Sequence, residues 1–272
     1  MKRKVKHLYA WIIMIVFIIC IYFPIYWLLV MSFKQQVDIV SIPPKWFFKP
    51  TLSNYTWLRD HTDVGGGLKR SLIVAFSSTA LAALIGLPAG YALARFNFRH
   101  KDDVAFWILS TRFLPPIAVL IPFIVIWLAL DMFDTYATLI VMHLVINLPM
   151  VIWLSSKFLK EVPVEIEDAA RVDGCSRFTA LVRIVLPQAG PGLAVAAIFS
   201  FIFSWNEFFF AFVLTSTKST LPVVISGFLA HGHEIKWGSL ASAAIIASVP
   251  ALVLVIVARR LIAKGFTQMV VE

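Results

Sequence analysis

The sequence predicts an all-α membrane protein with six transmembrane helices. Three observations carry that reading. Hydrophobic residues make up 60% of the 272 positions and charged residues 14%, with a mean hydropathy of +0.86. Soluble domains average roughly 45–50% apolar and about 25% charged. Six runs of low charge are each long enough for the ~20 residues that cross a bilayer. Basic residues gather in alternate connections between these runs, the distribution that marks cytoplasmic segments. A secreted globular domain, a disordered regulator and an ordinary cytosolic enzyme are excluded by composition.

The first run, Leu8 to Phe33, follows Met1-Lys2-Arg3-Lys4-Val5-Lys6. Signal peptides also open on basic residues, but this run exceeds an h-region and no small-residue cleavage site follows it. It is expected to stay as the first helix. Ser71 to Ala94 is the second run, and Val104 to Leu130 the third, interrupted by Arg112. Thr135 to Ser156 is the fourth, Pro187 to Leu214 the fifth, interrupted by Glu207, and Trp237 to Ala258 the sixth. None alternates with the period of a barrel strand. The expected organisation is a single transmembrane domain over residues 1–272.

Lys2, Arg3, Lys4 and Lys6 precede the first run; Arg95, Arg99 and Lys101 lie between the second and third. Lys157, Lys160, Arg171, Arg177 and Arg183 lie between the fourth and fifth, and Arg259, Arg260 and Lys264 follow the sixth. Placing these on one side puts both termini in the cytoplasm. The turn with Asp131 and Asp134 carries no Lys or Arg and falls outside. The first outer loop, Lys34 to Arg70, runs against the pattern with six basic residues. It also has Pro43-Pro44, an aromatic cluster of Trp46, Phe47 and Phe48, and a turn expected at Gly65-Gly66-Gly67. The aromatics read either as an interfacial belt or as a docking surface. The formal charge of +9 is accounted for by these loops, and no nucleic acid is expected as partner. Cys20 and Cys175 fall in different environments and predict neither a disulfide framework nor a metal site.

The connection between the fourth and fifth runs, residues 162–187, is the most informative segment. Pro163 suits a first helical turn, where a missing N–H costs little. Glu165, Glu167 and Asp168 then favour the positive end of the helix, and Glu167 can pair with Arg171 one turn on. Asp173-Gly174 stops the helix, because glycine takes the left-handed conformation cheaply. Ser176 can cap a second helix, and Pro187 is expected to bend the chain into the fifth span. Two short helices joined by a tight turn therefore lie on the cytoplasmic face.

This segment resembles the cytoplasmic EAA loop of permease subunits of binding-protein-dependent ABC importers. Asp168-Ala169-Ala170, three residues, Gly174, nine residues and Ile184-Val185-Leu186-Pro187 match that pattern in register, with Asp168 where the pattern has Glu. Thr111-Arg112-Phe113-Leu114-Pro115-Pro116, Trp205-Asn206-Glu207-Phe208 and Lys264-Gly265-Phe266-Thr267 are similar to the carbohydrate-uptake branch, in its maltose-type second-permease group. The tail departs from that group, ending Gln268-Met269-Val270-Val271-Glu272. The resemblance implies a type I ABC importer permease fold in a bacterial inner membrane, with a coupling helix in the loop. It implies that Glu165, Glu167, Asp168, Ala169, Ala170, Asp173 and Gly174 dock on a nucleotide-binding subunit. It also implies an ATPase dimer that holds ATP and Mg²⁺, a second homologous permease, an extracytoplasmic solute-binding protein and a carbohydrate substrate. No cofactor is expected on this chain, which has no phosphate-cradling GxxxxGK[ST].

Ionisable groups within spans cost at least about 2.5–3.5 kcal/mol and are functional candidates by default. Arg112 lies about 12 Å from the inner end of its span and either snorkels or lines a pathway. Glu207 lies about 30 Å beyond Pro187 along a straight helix, so the two are not expected to pair. With Ser200, Ser204, Trp205 and Asn206, they offer the hydroxyl partners and apolar faces that a sugar pathway needs. Pro115-Pro116, Pro122 and Pro149 interrupt backbone bonding at membrane depth. His143 and Asn147 are expected to bridge helices, and His231 with His233 is too small a set for metal. A secondary transporter or channel for a polar solute is the alternative, but it leaves the loop match unexplained. A membrane enzyme would need clustered acidic or His residues that the sequence lacks.

Overall fold

The computed structural model describes the backbone of residues 2–230 and 235–270 and the side chains of residues 9–228 and 235–259. His231 and His233, the side chains of Lys2, Arg3, Lys4, Lys6 and Arg260, and those of Lys264 to Thr267 lie outside the described set. The helices in chain order are α1 (Lys2–Ser32), α2 (Gln36–Ile39), α3 (Ser53–His61), α4 (Val64–Arg95), α5 (Lys101–Ser110), α6 (Pro116–Ala129) and α7 (Tyr136–Glu161). There follow α8 (Val164–Val172), α9 (Arg177–Ala180), α10 (Leu186–Asn206), α11 (Phe209–Leu214), α12 (Leu221–Ala230) and α13 (Trp237–Val270). Among the described residues five helical stretches are long and apolar enough to cross a membrane, and the bent pair Lys101–Phe113 with Pro116–Ala129 makes a sixth when counted as one span. The described residues fall into two compact units, 1–66 with 224–249 and 67–223 with 250–272.

The third span is broken rather than continuous. A residue before proline is pushed out of the α region by the pyrrolidine Cδ. Leu114 and Pro115 both precede prolines and both are extended, at ψ 132° and 131°. The helices on either side meet at 87°. The fifth span departs in two places from the expectation. Helix continues through Pro187, where a bend was expected. A π-turn over Leu181–Val185, with the Leu186 N–H on the Leu181 carbonyl, widens the backbone just ahead of the residue that cannot donate. The span then breaks at Glu207, which is extended, and restarts as α11.

Gly65, Gly66 and Gly67 do not form a turn: they lie in the first turns of α4. Intrahelical bonding is incomplete there in any helix, and the long apolar stretch behind them carries the helix. Asn54 fastens the end of α1, donating from Nδ2 to the carbonyls of Ser32 and Lys34 at 2.9 and 2.8 Å. Lys34 is buried, its ammonium 5.1 Å from the Trp27 ring and 4.9 Å from that of Phe48, donating to the Lys45 carbonyl. Of the aromatic cluster, Trp46 packs edge-on to Trp27 and Phe47 is fully exposed.

The larger unit is held by unusually close helix approach. A Cβ on Gly86 would lie 2.8 Å from Val151 Cγ1, and one on Gly90 would lie 2.7 Å from Ser155 Cβ. Gly86 and Gly90 form a GxxxG step on α4, the device that lets helix backbones touch where no hydrophobic effect drives them together. A Cβ on Gly192 would lie 2.1 Å from Phe158 Cδ1, so α10 meets α7 equally closely. At the end of the α6–α7 turn, Asp134 accepts from the backbone N–H groups of Ser216, Thr217 and Lys218 at 3.0, 3.1 and 3.1 Å. Burial pushes the Asp134 carboxyl up, but hydrogen bonds from the Thr217 hydroxyl and these three amides outweigh it and hold the group at about 2.

Two outcomes follow. Gly192→Val should lower thermal stability in detergent by about 1–3 kcal/mol through overpacking, whereas Gly190→Ala, where a Cβ meets nothing within 4 Å, should be neutral. A carboxyl lowered by folding adds stability above its unfolded value and loses it as pH falls towards about 2. Asp134→Asn should therefore melt earlier at pH 7, with the gap to the unsubstituted protein closing between pH 4 and pH 2.

Candidate functional site

The loop after α7 is built as its residues require. Pro163 precedes α8, with Glu165 and Glu167 in the first turn. The helix ends in a Schellman motif: the Gly174 N–H donates to the Arg171 carbonyl at 3.1 Å and the Cys175 N–H to that of Ala170 at 3.0 Å. Gly174 has φ +90° and open space around it. Any side chain there is therefore penalised by the backbone conformation and not by a clash. The Ser176 hydroxyl accepts from the Thr179 N–H at 3.1 Å and starts α9.

The face that α8 turns to solvent carries Glu165, Asp168 and Ala169, with Asp173 and Gly174 beyond its end. Ala170 is buried. Glu167 is buried too, which corrects the expectation that it lies at the exposed face and pairs with Arg171. Arg95 Nε donates to its Oε2 at 2.9 Å and the Tyr91 hydroxyl donates to its Oε1. The same Arg95 gives its Nη2 to the Val162 carbonyl at 2.8 Å, at the root of the loop. Arg171 instead meets Asp168, at an exposed 3.5 Å. Tyr91 and Arg95 are four residues apart on α4 and so share a face. Sequence reasoning counted Arg95 only as a cytoplasmic charge and gave Tyr91 no part. The Tyr91, Arg95 spacing at a span end was the available signal.

The polar residues at membrane depth do different work from that expected. Ser200, Ser204 and Trp205 are buried in helix contacts and do not line an open path. Ser204 Oγ meets Ser78 Oγ at 2.8 Å and accepts from Asn147 Nδ2 at 2.8 Å, and the same amide reaches the Ser200 carbonyl at 3.2 Å. Three helices, α4, α7 and α10, are thus joined at one point. Trp205 stacks on Phe201. Asn206 is exposed but donates to its own helix at Ile202. Glu207 repairs the break that it occupies: its two oxygens accept from the N–H groups of Phe210 and Ala211 at 2.8 and 3.3 Å. His143 Nε2 lies 3.3 Å from the same carboxylate, and Asn147 bridges α7 and α10. Arg112 sits on the elbow of the third span, its guanidinium 4.3 Å over the Phe203 ring and its Nη1 3.2 Å from the Ile146 carbonyl. Arg112 and Glu207 engage different partners. Among the described residues no cluster of three His, Cys, Asp or Glu could hold a metal.

Residues 86–268 match the family model described as "Binding-protein-dependent transport system inner membrane component". The chain belongs to this family. The inner membrane component is 32% identical over 249 residues to the sulfoquinovosyl glycerol transport system permease protein SmoH of Agrobacterium fabrum, covering 90% of this chain and 87% of that one. It is 32% identical over 250 residues to the trehalose transport system permease protein SugB of Mycobacterium tuberculosis, covering 90% of each. Its fold is similar to that of a bacterial ABC transporter involved in the import of the acidic polysaccharide alginate, with TM-score 0.79, 18% identity, and 94% and 96% of the two chains covered. The type I importer permease fold is thereby shown, and the protein is a multi-pass inner membrane component.

The Ser78, Ser204 and Asn147 contacts should behave as one unit. Interhelical hydrogen bonds in membranes average about 0.6 kcal/mol and reach about 1.7. Ser204→Ala should cost an amount in that range, measured by thermal unfolding in detergent. Adding Ser78→Ala to it should cost less than Ser78→Ala does alone, since its partner is already gone.

Proposed function

We propose that this chain is one permease half of an ATP-driven carbohydrate importer and that α8 is its coupling helix. The observation that carries the reading is the shape of the loop. A short helix is anchored by its buried edge and shows Glu165, Asp168 and Ala169, followed by Asp173-Gly174, to whatever docks there. The small side chain of Ala169 and the left-handed Gly174 leave the surface low enough for close approach, and the carboxylates favour a basic partner surface. The chain has no phosphate-cradling motif, which supports a separate ATPase dimer that binds ATP and Mg²⁺. One such loop per chain against a two-fold ATPase supports a second, related permease.

The family description supports delivery of solute by an extracytoplasmic binding protein, and the two relatives' named substrates support a sugar or glycoside within the carbohydrate class that also includes polyols. The distribution of basic residues in the sequence supports a cytoplasmic position for α8 and both termini. Closure of the ATPase would then rock the spans as bodies, a hinge or shear motion of packed helices. Arg112 and Asn206 remain the pathway candidates: Arg112 sits at a break in a span, and Asn206 is exposed beside another.

The loop variants decide the reading. Gly174→Val, which meets a penalty of about 1–2 kcal/mol in the left-handed region, Ala170→Trp and Asp168→Lys should each leave the protein in the membrane. Binding-protein-stimulated ATP hydrolysis and solute uptake should fall together in membrane vesicles, while nucleotide binding to the isolated ATPase stays normal. Wild-type transport in all three with the ATPase attached would make α8 a mere connector. Uptake that persists without ATP would favour a secondary transporter or channel.

A further inference from the structure

The buried side of α8 is not simply the back of a docking surface. It consists of Glu167 and Ala170, three residues apart, while the rest of the helix is exposed. Such a narrow edge offers little apolar area to hold a nine-residue helix against the bundle. Instead the helix is tied by charge. Among the described residues, the side-chain hydrogen bonds from α8 to another helix all end on Glu167, and all come from the last two turns of α4. Arg95 also holds the Val162 carbonyl, so a single guanidinium fixes both α8 and the segment that leads into it. On the far side of the turn, the Arg177 guanidinium lies 5.3 Å over the Phe96 ring, and Phe96 is edge-on to Tyr91. Tyr91 further packs with Leu159, Val162, Leu181, Val185 and Ala189. The C-terminal end of α4 therefore grips both arms of the loop.

The geometry points to Tyr91, Arg95 and Glu167 as a latch that makes α8 and α4 move as one body, so that displacement of α8 is delivered to the second span directly. These are positioning residues: they touch neither nucleotide nor solute. Direction supports the assignment. α7 and α10 also flank the loop, but each reaches α8 through a connecting segment, Val162-Pro163 at one end and Asp173 to Ser176 at the other. The bidentate use of Arg95, on a carboxylate and a carbonyl, restrains rotation as well as distance. Immediately before Tyr91, Gly86 and Gly90 press the same end of α4 against α7, so motion imparted there is not absorbed by loose packing.

This inference rests on the proposal that an ATPase docks on α8. It can be tested on the complex of the full chain with the ATPase that co-purifies with it. Cys20 and Cys175 would be replaced by Ser. Spin labels would be placed at Val172→Cys, at the exposed end of α8, and at Leu84→Cys, on an exposed face of α4. With Mg-ATP, and again after vanadate trapping, the interlabel distance should stay constant. In Glu167→Gln and in Tyr91→Phe it should broaden or shift by more than about 2 Å, with hydrolysis by the attached ATPase retained. Exchanging the pair, Arg95→Glu with Glu167→Arg, should bring back part of the constancy; a role confined to stability would restore folding without restoring the fixed distance. A distance that changes with nucleotide in the unsubstituted protein overturns the latch, as does one that stays constant in both single variants. If Glu167→Gln fails to reach the membrane, Tyr91→Phe, which removes one bond, decides. If no ATPase co-purifies with the unsubstituted chain, the coupling proposal itself has failed, which is a separate result.

Discussion

Close contact between helix backbones is the constraint on which the larger unit depends. Lipid tails are as apolar as leucine side chains, so burial alone does not drive spans together. What holds α4, α7 and α10 is the absence of side chains at Gly86, Gly90 and Gly192. Dispersion contacts and the Ser78, Asn147 and Ser204 hydrogen bonds then become possible over the short separations that result. The order of cause matters: Asn147 can reach Ser204 and the Ser200 carbonyl because Gly192, lower on the same helix, lets α10 settle against Phe158.

The same solvent explains how the broken spans survive. A backbone N–H freed at membrane depth must find an acceptor within the protein. At Glu207 the carboxylate itself supplies it, taking two first-turn donors of α11, the N–H groups of Phe210 and Ala211. At the proline pair the break falls where an arginine can rest on an aromatic ring and a carbonyl. Each intramembrane charge thus sits at a discontinuity. A charge that looks like a transport relay in a linear reading is here, in its first duty, a repair of local backbone.

Fold class, the positions of most spans and the helix–turn–helix backbone of residues 163–176 were legible because each rests on local rules. Apolar run length marks a span, and Pro163, Gly174 and Ser176 are read from their own backbone demands. What was not legible depended on contacts distant in sequence. Glu167 was paired with Arg171 because one helical turn separates them, yet its partners lie more than 70 residues away on α4. A charged residue that could face water or protein gives no local hint of which it does. Ser200 and Ser204 were read as pathway hydroxyls for the same reason: a serine on a span looks alike whether it faces a cavity or a neighbouring asparagine. The triple glycine at 65–67 misled in the opposite sense. Its local signal for a turn was outweighed by the long helix behind it, a tertiary and cooperative effect.

Adjacent acidic residues with opposite fates make the loop intelligible as a device. Successive positions on a helix are turned by about 100°, so Glu167 and Asp168 cannot serve the same surface. One is desolvated, and a carboxylate in that position is tolerable only with a fixed cation and further donors, which Arg95 and Tyr91 supply. The other stays in water, where its weak contact with Arg171 can be exchanged for a partner at little cost. A helix built this way holds firmly to its own protein on one side and remains available on the other. The strength of the inner attachment does not have to come from the outer surface, so docking can stay reversible while the link to the spans stays stiff.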